Sequence, residues 1–403
     1  MNELKLSYKG KEDSIHVIRK TKPAELEEIK TFFYGREIAQ EIQPHEKFRN
    51  LLFFGDNLKI LKNLITRKDL KDKIKLIYID PPFSTNNIYR SGIGRVSTIS
   101  SSKEDTIAYE DTYQGAEYIE FLRKRLILLR EILAKDGSIY VHIDEKIGHY
   151  VKIIMDEIFG IENFRNHISR IKCNPKNFKR SAYGNMKDMI LFYSKKDSYI
   201  WNDSKEDYTE ADIDRLFRKI DDQGRRYTTN PIHAPGETKN GPTGQPWKGL
   251  DPPTGRHWRY RPDRLTELDE KGLIEWSRTG NPRVIIYADE HKKKKKKRQD
   301  TWEFKDPPYP KYPTEKNEEL LKVIIQASSN PGDIVLDSFT GSGTTLTASE
   351  KLNRRWIGID NSPVAIETTI NRISNIQDHQ LFALISETKK SQELKFLTQA
   401  QPE

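Results

Sequence analysis

The spacing of apolar residues changes several times along the 403-residue chain, and each change marks an element. Residues 1–47 are polar and charged, with a helix expected around Pro23 to Glu41. From Leu51 the texture alters: Leu52-Phe53-Phe54 leads into Gly55-Asp56-Asn57, then Leu58, Leu61, Leu64 and Ile65 follow at the spacing of a helix face. Ile74 to Ile79 is an unbroken β-branched and aromatic run, which predicts a buried strand. It stops at Asp80-Pro81-Pro82-Phe83, because two prolines cannot continue a central ladder. Residues 84–112, rich in Ser, Thr, Asn and Gly, read as a long mobile loop. Tyr118, Leu122, Leu126, Leu129 and Leu133 mark one face of a helix ending at Asp136-Gly137, with a strand over Ser138 to Ile143 behind it. Val151 to Phe159 predicts a further helix and Met189 to Tyr193 a further strand.

The pattern fails between about Trp201 and Pro313, where Pro and Gly cluster and aromatic residues alternate with arginines. It returns as a helix (Glu318 to Ala327), a strand (Asp333 to Asp337), a glycine turn, a helix (Thr345 to Leu352) and a strand (Trp356 to Ile359) ending at Asp360. Strands alternating with helices predict a layered α/β sheet. The chain therefore divides into an N-terminal extension (1–47), two halves of one domain (48–200 and 314–376) around a separate module (201–313), and a weakly patterned tail (377–403).

Composition narrows the functional classes. No stretch approaches the ~20 apolar residues of a membrane span, and the N-terminus has no signal-peptide core, so the expected location is the cytoplasm. A single cysteine, Cys173, excludes a disulfide framework and a multi-cysteine metal site, and no metal is expected. The net charge of +9 and a pI near 9.1 favour a polyanionic partner, nucleic acid first.

Asp337 to Thr344, Asp-Ser-Phe-Thr-Gly-Ser-Gly-Thr, sits between a strand and a helix, and its glycines permit a tight turn close to a ligand. Asp360 ends the next strand 17 residues beyond Gly343, where an acid can bind both hydroxyls of a ribose. A dinucleotide site uses the same logic, which makes NAD the runner-up cofactor. Against it, Leu346 stands where the third fingerprint glycine would fall, and Asp337 would repel phosphates yet attract the ammonium of a methionine moiety.

Asp80-Pro81-Pro82-Phe83 suits methyl transfer to an aromatic amine. The lone pair of such a nitrogen is delocalised, so a carboxylate and a backbone carbonyl that each accept one N–H draw it toward tetrahedral geometry. The prolines stiffen the turn, and the ring of Phe83 stacks on a base taken out of the duplex. Asp-Pro-Pro recurs at Asp251 and Asp306, but neither follows a clean buried strand, so both are read as structural. Cytosine C5 chemistry requires a nucleophilic cysteine, and Cys173 lies between Lys172 and Asn174 in no such context.

Over residues 50–375 the chain resembles the amino-methyltransferases of bacterial restriction–modification systems, in the group whose catalytic motif precedes the cofactor motif. The resemblance implies a doubly wound, Rossmann-like α/β sheet, S-adenosylmethionine as cofactor and double-stranded DNA as substrate. It assigns Asp80, Pro81, Pro82 and Phe83 to catalysis, Asp56 to the neighbourhood of the cofactor adenine, Asp337, Phe339, Gly341, Gly343 and Thr344 to the methionine-binding turn, and Asp360 to the ribose. Residues 312–317 (Tyr-Pro-Thr-Glu-Lys-Asn) are similar to the family's His-Pro-Thr-Gln-Lys-Pro segment. Thr314 and Lys316 carry its contacts to the methionine end, while Glu315 and Asn317 depart from it; Asn317 is also an ordinary helix cap. An initial Asp in the tetrad favours adenine N6, with cytosine N4 the alternative. The 201–313 module occupies the target-recognition position, with Arg256, Trp258, Arg259 and Arg261 as its DNA-contacting residues. Lys292 to Lys297 reads as a flexible surface loop that adds salt-dependent affinity. A cognate restriction endonuclease is the implied companion, and the oligomeric state is open, a homodimer included. Two other readings stand beside this one: an NAD-dependent oxidoreductase, and a basic DNA-binding protein with an inactive core.

Overall fold

The computed structural model describes residues 5–32, 49–82, 88–91, 106–110, 115–175, 181–238, 240–307 and 315–394. The chain divides into two units, Lys205–Arg298 and the remainder.

The larger unit is built on one ten-stranded sheet. Its strands are β1 (Leu26–Phe32), β2 (Asn50–Phe54), β3 (Ile74–Ile79), β4 (Leu133–Ile143), β5 (Phe164–Ile171), β6 (Lys187–Ser194), β7 (Thr301–Glu303), β8 (Ile334–Asp337), β9 (Arg355–Asp360) and β10 (Phe382–Glu387), in the spatial order β1-β10-β2-β9-β8-β3-β4-β6-β5-β7. The central strands from β10 to β4 are mutually parallel; β1 and β6 run antiparallel to their neighbours. The helices are α1 (Ser14–Lys20), α2 (Asn57–Thr66), α3 (Gly115–Ile132), α4 (Glu145–Phe159), α5 (Glu318–Ser328), α6 (Thr344–Lys351) and α7 (Pro363–Ser374).

The period of two along each strand explains the layers. Leu51 and Phe53 of β2, with Ile77 and Ile79 of β3, join a core completed by α2, α3 and α4. The alternate residues face the other way: Leu76 and Tyr78 pack with α5, and Leu52 and Phe54 with α7. Both faces are covered, which is why Ile74 to Ile79 reads as continuous rather than alternating apolar sequence. β8 runs outward through α6 to β9, whereas β3 runs in the other direction through α3 to β4. The strand order therefore reverses between β8 and β3, and crevices at such switch points are where doubly wound sheets bind ligands.

Several expectations are corrected. Leu26–Phe32, placed in a helix from sequence, is strand β1, because it finds an antiparallel partner in β10. β10 itself lies in the tail read as weakly patterned, yet it is an interior strand between β1 and β2. Within 84–112, Ile88–Ser91 pairs with Thr106–Glu110 as an antiparallel hairpin rather than forming loop throughout. α3 ends at Ile132, and β4 continues through Asp136-Gly137, the positions read as the helix stop.

The unit Lys205–Arg298 is narrower than the 201–313 interval, since Thr301–Glu303 pairs with β5 in the main sheet. It carries a four-stranded sheet in the order Lys219–Ile220, Arg226–Pro231, Pro282–Tyr287, Ile274–Trp276, around a small core of Ile232, Trp247, Trp258, Leu265, Leu268 and Val284. No helix among the described residues is long and apolar enough to cross a membrane.

Candidate active site

Parallel strands bring their carboxyl ends to one edge, and four acids collect there. Asp56 follows β2, Asp80 follows β3, Asp337 closes β8 and Asp360 closes β9. Residues scattered over three hundred positions of sequence thus meet where the strand order reverses.

Asp80 has two unlike oxygens. Lys316 Nζ lies 2.6 Å from Oδ2, while Oδ1 is buried with no hydrogen-bond partner among the described residues. A buried acceptor left open is costly, and each such atom in a folded protein calls for a reason. Lys316, expected at the methionine end of the cofactor, pairs its ammonium with Asp80. Pro81 and Pro82 follow directly in non-strand backbone. Phe83 and Thr314 lie outside the described residues.

The turn after β8 is shaped by Gly341 and Gly343, at φ 53° and 76°, which L side chains rarely adopt. A Cβ on Gly343 would also lie 2.7 Å from Thr369 Oγ1, so this glycine serves the packing of α6 against α7. Gly343 caps α6 without a side-chain acceptor, leaving the N–H groups of the first turn, beginning at Thr344, without a side-chain cap. The Thr344 hydroxyl lies 3.0 Å from Ser342 Oγ and 3.2 Å from the guanidinium of Arg372. Arg372, on α7, donates to Glu315 at 2.7 Å. The departure of Glu315 from the family's Gln therefore comes with a partner that sequence reading had not singled out.

Burial raises Asp337 to about 7; its Oδ1 accepts from Phe339 N–H at 2.9 Å. Burial also raises Asp360, whose oxygens accept from Gly341 N–H at 2.8 Å and Ser362 N–H at 2.9 Å. Asp56 caps α2 through Leu58 N–H at 3.0 Å and pairs with Arg125 at 3.1 Å. Arg125 Nε also donates to Asn57 Oδ1 at 2.5 Å, and Asn57 Nδ2 to the Ser338 carbonyl at 2.6 Å. Gly55-Asp56-Asn57 is thus a brace that ties β2, α3 and the β8 turn together. Phe339, half-buried, has its ring 6.3 Å from that of Phe121.

The other two Asp-Pro-Pro copies lie elsewhere. Asp251 is exposed in the second unit. Asp306, read as lying in a connector, follows the short edge strand β7, and its carboxylate is taken by Arg170. Of the arginine and aromatic cluster, Arg256, Arg259 and Arg261 are exposed, but Trp258 is 2% exposed within the second unit's core and is unavailable to stack on a base. Only the middle of the lysine run, Lys293 to Lys295, is loop. Lys292 ends a short helix, Lys296–Lys297 pairs with Lys205–Glu206, and acidic partners hold Lys292 (Glu210, 2.7 Å), Lys295 (Asp207, 3.4 Å) and Lys296 (Asp212, 2.6 Å).

Comparison with known proteins gives the family. The DNA methylase family model (N6_N4_Mtase) matches residues 74–371. The type II methyltransferase M.EcaI of Enterobacter cloacae is 41% identical over 378 residues, covering 92% of this chain and 77% of that protein. M.KpnI of Klebsiella pneumoniae is 27% identical, with 82% of this chain and 83% of the relative aligned. A type III relative, the HindVI Mod subunit of Haemophilus influenzae, is 26% identical, and only 53% of its length is matched. Among solved structures, the M1.HpyAVI–SAM complex aligns with a TM-score of 0.43 at 17% identity, over 81% of this chain and 100% of that one. A family match across both halves of the sheet and a 41%-identical relative aligned over most of both chains establish that the protein belongs to the S-adenosylmethionine-dependent DNA methylases of restriction–modification type that act on exocyclic amines.

Proposed function

We propose that the protein methylates adenine N6 at a specific site in double-stranded DNA, with Asp80 as the carboxylate that receives the amine. The observation that carries this reading is the buried, unpartnered Oδ1 of Asp80 at the sheet's switch point. Lys316 fixes the other oxygen, so the open lone pairs have one direction left to serve.

S-adenosylmethionine supplies an electrophilic sulfonium methyl when bound. The residues present suit such a ligand. Asp337 takes its ammonium, the bare N-terminus of α6 its carboxylate, and Asp360 the ribose hydroxyls. Asp56, Phe339 and Arg125 border the adenine side. Asp80 and the Pro81 carbonyl accept the two N–H groups of the flipped base, and Phe83 supports its ring. Asp80 then stabilises the positive charge that grows on nitrogen as the methyl group moves.

The unit Lys205–Arg298 is the proposed target-recognition module. It holds 22 Lys and Arg against 16 Asp and Glu, a net +6 of the chain's +9, and exposes Arg256, Arg259 and Arg261. A companion endonuclease fits the same reading. The acid at the head of the tetrad favours adenine; cytosine N4 is the second reading. Mass spectrometry of nucleosides from plasmid DNA methylated by the purified protein separates them: N6-methyladenine is expected, and N4-methylcytosine alone would overturn the adenine assignment.

A further inference from the structure

One face of the main sheet carries a chain of polar side chains at the same edge as Asp80. Tyr78 on β3, His142 on β4, Asp188 on β6 and Arg170 on β5 occupy four adjacent strands, and all four are buried. Their alternate neighbours on that face, Leu76, Tyr140, Ile190 and Ile168, belong to an apolar core. Burying so many polar groups is expensive unless each is matched.

The matching defines the state of His142. Asp188 accepts from Lys172 Nζ at 2.5 Å through Oδ1, while its Oδ2 lies 3.2 Å from His142 Nε2 and 3.6 Å from Arg170. Although burial pushes the Asp188 carboxyl upward, His142 and Lys172 hold it below the usual carboxylate range. An ionised carboxylate only accepts, so Nε2 carries the ring proton. Nδ1 of the neutral ring is then an acceptor, and the Tyr78 hydroxyl at 2.8 Å donates to it. Burial keeps Tyr78 protonated by raising its pKa well above the ordinary value. The same Nδ1 lies 4.0 Å from the open Oδ1 of Asp80. That distance is too long for a hydrogen bond, and the neutral nitrogen has no proton to offer.

Resting on the reading of Asp80 as the amine-binding group, we propose that His142 is a positioning residue for Asp80: as a neutral imidazole it leaves Oδ1 open for the substrate amine, and once protonated it claims that oxygen and halts transfer. Protonation would put an N–H on Nδ1, 4.0 Å from Oδ1, and a shift of about 1 Å would bring the pair within reach of a charge-assisted hydrogen bond. Among the described residues the charged groups around the imidazole include Asp80, Asp188 and Lys316, with Arg170 and Lys172 behind Asp188 and Asp306 behind Arg170. Burial lowers the pKa of His142 from its ordinary 6.5 despite both carboxylates, so the open state prevails at neutral pH.

The test is the pH dependence of single-turnover methyl transfer to plasmid DNA, at saturating S-adenosylmethionine so that cofactor binding is not rate-determining. The wild type should lose at least tenfold in rate along an acid limb that lies wholly below the ordinary imidazole value of 6.5, because burial lowers His142. His142→Asn, which has no titrating proton, should lose that acid limb, with affinity for S-adenosylmethionine within a few-fold of wild type. Tyr78→Phe, which removes the donor favouring the neutral ring, should move the limb to higher pH and covers the case in which the His142 variant fails to fold. An unchanged limb in the folded variants overturns the inference. Asp80→Ala separates the two levels: full activity there defeats the assignment of Asp80, whereas an inactive Asp80 variant beside unchanged limbs defeats only the role of His142.

Discussion

Asp-Pro-Pro occurs at both Asp80 and Asp306, both acids lie at the same edge of the same sheet, and the fold gives them opposite fates. Asp80 follows a six-residue strand buried between parallel neighbours, so its backbone is fixed on both sides, and one oxygen is left without a partner among the described residues. Asp306 lies past a three-residue edge strand with a single neighbour, and its carboxylate, 40% exposed, is neutralised by Arg170. Four strand spacings separate β3 from β7, about 19 Å. The motif alone therefore does not fix the surroundings of its carboxylate; a central strand gives Asp80 a partner for one oxygen and none among the described residues for the other.

The largest effect expected from that contrast is at Asp80. Asp80→Asn removes the charge and sets an N–H where the amine must donate, so transfer should fall by ~100-fold or more, while S-adenosylmethionine affinity stays within a few-fold. Calorimetry alongside the transfer assay checks both halves.

Asp337 is next. An ammonium ligand needs the ionised carboxylate, and burial places this group at about 7, so affinity for S-adenosylmethionine should rise between pH 6 and 8 and level off above. Ligand-free stability moves the other way. The folded state holds the proton more tightly than the unfolded chain, with its carboxyl near 3.8, so this contribution is full below about 4 and lost as pH passes 7. Asp337→Asn should consequently weaken binding at least tenfold, flatten its pH dependence, and raise the ligand-free Tm at pH 8. A lower Tm for the folded variant there would contradict the assignment.

Asp306→Ala should keep the transfer rate within about threefold and lower Tm by a few degrees, because it strips a charged partner from the buried Arg170. The smallest effect belongs to the second unit. Lys293 and Lys294 are exposed, and changing both to Ala should reduce the salt slope of DNA binding by no more than about two, with the methylated sequence unchanged. A new sequence preference would make the run a readout element.

The legible parts of the chain were those where local pattern and tertiary context agree. Ile74–Ile79, Asn57–Thr66 and the turn from Asp337 to Thr344 announce themselves because apolar period, caps and glycines all point one way. β1 and β10 did not, since an edge strand and its neighbour draw their order from each other across more than three hundred residues. Trp258 looked like a stacking ring because alternation with arginines does not say which side of a small core a tryptophan will fill. The partnership of Lys316 with Asp80, and of His142 with Asp188, joins separate segments at one edge, and no spacing within the chain foretells it.

The central claim rests on inequality between two identical motifs, so its most direct test sets them side by side. Transfer of labelled methyl groups from S-adenosylmethionine to plasmid DNA should be measured for Asp80→Ala and Asp306→Ala, each confirmed as folded by its thermal transition. The account predicts loss of at least ~100-fold for Asp80→Ala and near wild-type rates for Asp306→Ala. An active Asp80 variant beside an inactive Asp306 variant would contradict it.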